Sequence, residues 1–142
     1  MSHIAIMNKS FGDLIPKILS GEKKIESRWS RNKIAPWDRV KPGDTVYFKN
    51  SGEPVVAVAE VEKVRQFEKK DFDEARKLFP VPDKWVRNKN YCVLMWLKNP
   101  RKIKPFEINK SGFGSAAAWL SDFKIPGGHG SSSFVSSGSD KV

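Results

Sequence analysis

A pair of uninterrupted apolar runs commits this chain to a sheet. Residues 55–64 are rich in Val and Ala and contain no Gly or Pro, and residues 91–97 (Tyr-Cys-Val-Leu-Met-Trp-Leu) are the most hydrophobic run of the sequence. Runs this short, without the helical spacing of apolar positions, read as buried strands. The second is expected at the centre of the sheet. Shorter candidates surround them at residues 3–7, 23–29 and 45–48, and residues 102–108 form a further one in which Pro105 argues for an edge. Turn signals separate them. Lys41-Pro42-Gly43-Asp44 is a β-turn in which Pro42 presets one φ and Gly43 accepts a positive one, and Asn50-Ser51-Gly52 is another.

Helical spacing appears in only a few places. Phe11, Leu14, Ile15, Ile18 and Leu19 share one apolar face, Pro16 fits a first turn, and Gly21 is a natural stop. Residues 71–79 read as a helix that Asp71 caps and Pro80 ends, with Phe72, Ala75, Leu78 and Phe79 on one face. Residues 115–120 read as a short capped helix. Many strands with few helices favour a small, partly open barrel over a doubly wound sheet. Beyond Gly127 the composition turns to Gly, Ser and isolated charges, so the expected division is a domain at residues 1–126 and a flexible tail at 127–142.

The 142-residue chain carries a net charge of +10, from 26 Lys/Arg against 16 Asp/Glu, and both halves share the excess. A field of that sign favours polyanions, nucleic acid first among them. Five Trp and nine Phe supply rings for a core or for stacking on bases. A single cysteine, Cys92, sits inside an apolar run and reads as a core residue, so no disulfide framework is expected. With two His and one Cys, no Cys/His metal site is expected, and no cofactor. No apolar stretch has the length of a membrane span and the N-terminus lacks a signal core, so the expected setting is cytoplasmic, away from membranes.

One segment carries chemistry. In the strand after Gly21, Glu26 and Arg28 point to one face while Ile25 and Ser27 point to the other, and Lys23 lies in the turn where it can swing toward Glu26. On chemistry alone this Lys–Glu–Arg cluster is a surface ion-pair network. Its spacing, Gly21-x-Lys23-x-x-Glu26-x-Arg28, resembles the G-x-K-x-x-E-x-R signature of ASCH (activating signal cointegrator homology) domains. The resemblance runs on through the 41–44 turn, the 45–48 strand, the Lys49–Asn50–Ser51–Gly52 turn and the 55–64 strand, and more loosely to residues 91–97 and 111–120.

The resemblance implies an α+β fold, a small PUA-like β-barrel of about five or six mixed or antiparallel strands with about two or three short helices. It also implies a cleft beside the signature, and a link to RNA, to ribonuclease activity, to hydrolysis of acetylated cytidine or to transcriptional coactivation through a protein partner. The amidohydrolase-like members have Thr where this chain has Glu26. Lys23 and Glu26 remain catalytic candidates as a base–acid pair, but each is a poor proton-transfer group beside the other's charge. A binding module needs only cations for phosphate and rings for bases. The expected ligand is therefore RNA, single-stranded nucleic acid or a nucleotide-like small molecule. The expected contacts are Lys23, Glu26 and Arg28, then Trp29 lining the cleft, Lys49, Asn50 and Ser51 on the turn, and Ser115 in a Gly-rich loop. The three signature residues are expected to be replaceable without loss of the fold.

Overall fold

The structure is a computed structural model that describes residues 1–110, 113 and 117–125. Among them six strands form one mixed sheet: β1 (Ser2–Met7), β2 (Ile25–Ser30), β3 (Thr45–Asn50), β4 (Val55–Glu68), β5 (Tyr91–Phe106) and β6 (Trp119–Leu120). Their order is β2-β5-β4-β3-β1-β6; β1 and β3 run parallel and every other pair is antiparallel. The sheet curls into a half-barrel, and three short helices, α1 (Ile15–Ser20), α2 (Phe72–Leu78) and α3 (Asp83–Val86), complete this small α+β, PUA-like barrel.

The long antiparallel pair β4–β5 is the spine, as the two apolar runs demand. Residues 91–97 and 102–108 are not two strands: the chain passes through Asn99 at φ 52° and continues as one 16-residue strand. Register shifts along β4 absorb the irregularity and bend the pair. β2 pairs with the first half of β5, from Tyr91 to Trp96, so the second half has β4 alone as its neighbour. There Pro100, Pro105, Lys98, Lys102 and Lys104 serve an edge, where missing donors and charges discourage further pairing.

Three apolar clusters hold the layers. The barrel interior packs Ala5, Met7, Val46, Phe48, Ala57, Ala59, Val93 and Met95 against Ile15 and Ile18 of α1. The outer face near β6 packs Ile4, Tyr47, Val55, Phe106 and Leu120. The outer face near β5 packs Phe67, Cys92 and Leu94 against Phe72 and Ala75 of α2 and Val86 of α3.

The helices are shorter than their spacing suggested. α1 starts at Ile15, with Pro16 in its first turn; residues Lys9–Phe11 form a separate 3₁₀ turn, which Gly12 at φ 88° parts from the helix. Asp71 precedes α2 without a side-chain capping bond. The helix expected at 115–120 is corrected: residues 117–120 are not helical, and Trp119 and Leu120 pair with Ala5 and Ile4. Pairing along the open edge of β1 outweighs the helical preference of the alanines. Ser115 and the tail at 127–142 lie outside the described residues.

Gly21 ends α1 in the left-handed conformation at φ 83°, with its amide bonded to Ile18 O at 3.1 Å. A Cβ there meets nothing within 4 Å, so the cost of a side chain is conformational rather than steric. Gly21→Ala is expected to lower stability by about 1 kcal/mol in denaturant unfolding, and Gly21→Asn by less. Burial pushes the Cys92 thiol up to about 12, so a thiol reagent at mildly alkaline pH should leave the native protein unmodified and label it only after denaturation.

Candidate functional site

The turn at Gly21 sends the chain from α1 straight into β2, and strand alternation then sorts the signature. Glu26 and Arg28 stand opposite Met95 and Val93, both interior residues, so they face into the barrel. Ile25 and Trp29 face outward and pack with the cluster under α2. Lys23, in the turn, has its amide bonded to Lys17 O at 2.9 Å, and its ammonium lies 4.9 Å from the Phe79 ring centre.

The three charges form a chain. Lys23 Nζ donates to Ile25 O at 2.8 Å and lies 3.4 Å from Glu26 Oε1. Arg28 Nε donates to Glu26 Oε2 at 2.9 Å. These are not surface pairs: the side chains of Lys23, Glu26 and Arg28 are 14%, 5% and 18% exposed. The guanidinium also donates to Ala118 O at 3.0 Å and to Ile6 O at 3.4 Å, and meets Met7 Sδ at 3.3 Å. Its Cζ lies 5.3 Å from the centre of the Trp119 ring. β2 and β6 are the two ends of the strand order. Arg28 therefore bridges from one end of the sheet to the strands at the other and closes the half-barrel where no strand pairing does.

Beside this bridge opens a cavity of about 710 Å³. Arg28 and Trp119 border it, and Ile34, Ala35, Pro36 and Val93 give it largely apolar walls. Ile34, 60% exposed, and Phe113, 39% exposed, stand at its lips. The connection before β3 carries exposed Arg31 and Lys33 next to those walls, with Lys33 Nζ 5.6 Å from the Tyr91 ring centre.

The other expected contacts are dispersed. Trp29 is the exception, since it contributes to the lining of the cavity beside Arg28, although its ring meets Phe72 edge-on at 5.0 Å under α2 and its indole Nε1 is buried without a hydrogen-bond partner among the described residues. Lys49 is buried opposite Ile6 and Val55, on the outer face near β6. Asn50 is buried, donates from Nδ2 to Asp13 Oδ1 at 3.1 Å, and its Oδ1 has no partner among the described residues. Ser51 is exposed, and its amide bonds to Met7 O at 2.9 Å. Among the described residues no group of three His, Cys, Asp or Glu side chains is disposed to hold a metal.

Sequence reasoning passed over two residues that adjoin the site, Trp119 and His3. His3 is fully buried, with Nε2 2.8 Å from Asp44 Oδ2 and Nδ1 3.2 Å from the Trp119 indole nitrogen. Burial lowers the His3 imidazole from its ordinary 6.5 and outweighs the opposing pull of Asp44. Burial alone would raise the Asp44 carboxyl, but the bonds from His3, the Lys41 amide and the Met1 amine overcome it and hold it below 3.8. The one available signal was a histidine placed in an apolar strand; nothing in the sequence pairs it with a carboxylate 41 positions away.

Solved structures that share this architecture include three of the ASCH protein of Zymomonas mobilis (ZmASCH). The unsubstituted protein matches with TM-score 0.56 and 14% identity, over 87% of this chain and 88% of that one. Two single-residue variants of it match with TM-score 0.58, at 12% and 15% identity, over 87% of this chain and 91% and 89% of theirs. The fold is that of an ASCH domain. No protein-family model matches the sequence. No curated protein matches it either. Within the ASCH fold, the signature arginine of this chain spans the two ends of the sheet, a position that argues against replacing it without cost to stability.

Arg28→Met leaves the Glu26 carboxylate buried beside Lys23 alone and removes the bridge, so it should destabilise the protein by about 3 kcal/mol in urea unfolding. Lys23→Ala should cost under about 1 kcal/mol, because Arg28 still pairs with Glu26. His3 and Asp44 set the acid limb of stability. The unfolded chain protonates His3 at 6.5 and the folded chain only below it, so stability should hold above 6.5, fall as pH drops beneath it, and fall further below 3.8 as Asp44 is forced to protonate. Thermal melts of wild type and His3→Asn across this range check it, the first decline being absent in the variant.

Proposed function

We propose that this ASCH-fold chain binds single-stranded RNA, or a nucleotide-like ligand, by taking one base into the cavity beside Arg28 while exposed cations hold the adjoining phosphates. The observation that carries this reading is the character of the cavity: roomy, largely apolar, bordered by the Trp119 ring, with a single charged group that already has its partners. A guanidinium whose nitrogens bond Glu26, Ile6 and Ala118 is poorly placed to clamp a phosphate. An uncharged, flat group suits such walls far better. Phosphates fall instead to Arg31 and Lys33, which are exposed on the same connection that supplies Ile34 to the cavity. The net charge of +10 and the resemblance of residues 21–28 to the ASCH signature support RNA as the polyanion. Arg28 thus shapes the site rather than gripping phosphate, and Glu26, flanked by Lys23, orients it from outside the cavity lining.

This geometry favours binding over catalysis by Lys23 and Glu26. The Lys23 ammonium is spent on Ile25 O and on Glu26, and it lies 4.9 Å from the Phe79 ring centre. Residues 1–126 are proposed to suffice for binding, with 127–142 as a dispensable tail.

Fluorescence anisotropy of a labelled single-stranded RNA tests this. Ile34→Asp, at an exposed position, puts a charge on the apolar lip and should weaken binding by about tenfold with unchanged stability. Arg31→Ala and Lys33→Ala should each flatten the dependence of affinity on salt by about one unit of slope. Affinity indifferent to Ile34→Asp would reduce the charge of the chain to a general field and remove the cavity from the account.

A further inference from the structure

Trp119 has two partners, one on its face and one at its edge. The Arg28 guanidinium lies over the ring, 5.3 Å from Cζ to the centre, and the indole Nε1 lies 3.2 Å from His3 Nδ1. An indole N–H only donates, so Nδ1 must carry a lone pair, and Nε2 must carry the proton and donate to Asp44 Oδ2 at 2.8 Å. The tautomer is thus dictated from both sides of a fully buried ring. Asp44 is held in turn by the Lys41 amide at 2.9 Å and the Met1 α-amino group at 3.3 Å. A continuous chain of contacts therefore runs from Asp44 through His3 and Trp119 to Arg28, the residue that borders the cavity and closes the barrel.

Ser121 Oγ also lies 3.2 Å from Nδ1, which sets serine, histidine and aspartate in the order of a nucleophile, base and acid. It is not a hydrolytic triad. The indole N–H already occupies the nitrogen that would take the serine proton, and the imidazole has no exposed surface. The cluster orients; it does not react.

We propose that His3 is a positioning residue for the cleft: its neutral Nδ1 pins the Trp119 indole beneath Arg28, and protonation of Nδ1 breaks that bond and weakens binding in the cavity. A proton on Nδ1 faces one N–H with another, an arrangement without a hydrogen bond, and the indole must turn or withdraw. The charged groups around the ring act in both directions. Asp44 and Asp122 favour the imidazolium, the Met1 amine opposes it, and Arg28 stands beyond the indole. Burial has the largest effect and keeps the ring neutral until the pH is below 6.5. The proposal rests on the base-binding reading of the cavity for its consequence, but not for the relay itself.

The relay also sets a sign that a basic surface alone cannot. As pH falls the chain grows more positive, so general attraction to RNA tightens; release of Trp119 loosens it.

The test uses the full chain and two readouts. In ¹⁵N-labelled protein the Trp119 indole N–H resonance, identified by its loss in Trp119→Phe, should titrate below pH 6.5. In His3→Asn, whose side-chain oxygen stands where Nδ1 stood, it should stay constant. Asp44→Asn keeps an acceptor for Nε2 but removes the charge that favours the imidazolium, so there the midpoint should move to lower pH. Single-stranded RNA affinity should fall with the wild-type indole transition and show no such fall in His3→Asn. A wild-type indole resonance that is constant down to the pH of unfolding, or that titrates identically in His3→Asn, overturns the proposal. A resonance that titrates as expected while RNA fails to bind at any pH leaves the relay in place and overturns the base-binding reading instead.

Discussion

The Arg28 guanidinium bridges the two ends of a sheet whose strands do not pair around the circle. Glu26 sets it in place from two residues away on the same strand, and the carbonyls of Ile6 and Ala118 receive it on the far side. A closed barrel removes its edges by hydrogen bonding every strand to two neighbours. This one substitutes a single side chain for the missing ladder, and the substitution leaves a mouth. The cavity beside Arg28 is that mouth, so one interaction both completes the fold and defines the place where a ligand can enter.

The dual role explains why the signature is charged although it is buried. An apolar residue at position 28 would pack against Met7 and Trp119 but would forgo the guanidinium's bonds to the Ala118 and Ile6 carbonyls that tie the two ends of the sheet together. Lys23 adds a second cation beside a carboxylate only 5% exposed. The three side chains therefore act as a unit, Glu26 between two cations and Arg28 between a carboxylate and an aromatic face.

Much of this was legible in the sequence because it is local. Alternation placed Glu26 and Arg28 on one face of β2, Gly21 marked the end of α1, the Pro42–Gly43 turn led into β3, and the apolar runs at 55–64 and 91–97 foretold the spine. What was not legible depends on partners distant in the chain. Trp119 and Leu120 became a strand because β1 offered an open edge, a fact absent from the Ala-rich stretch itself. His3 meets Asp44 and Trp119 across separations of 41 and 116 residues. Asn99 at a positive φ let one strand run on through what read as a break. Lys49 and Asn50 are neighbours in sequence, but strand alternation parts them, and Asn50 reaches Asp13, just ahead of α1.

The most direct measurement is a methyl NMR titration of the full chain with a short single-stranded RNA and, in parallel, with the same ribose-phosphate strand lacking bases. If the cavity takes a base, the methyl signals of Ile34, Ala35 and Val93 shift with the RNA and stay still with the abasic strand, while the backbone amide signals of Arg31 and Lys33, followed in the ¹⁵N spectrum, respond to both. Equal shifts with the two strands, or shifts that bypass Ile34, Ala35 and Val93, would contradict it and leave the Arg28 bridge as a device of folding alone.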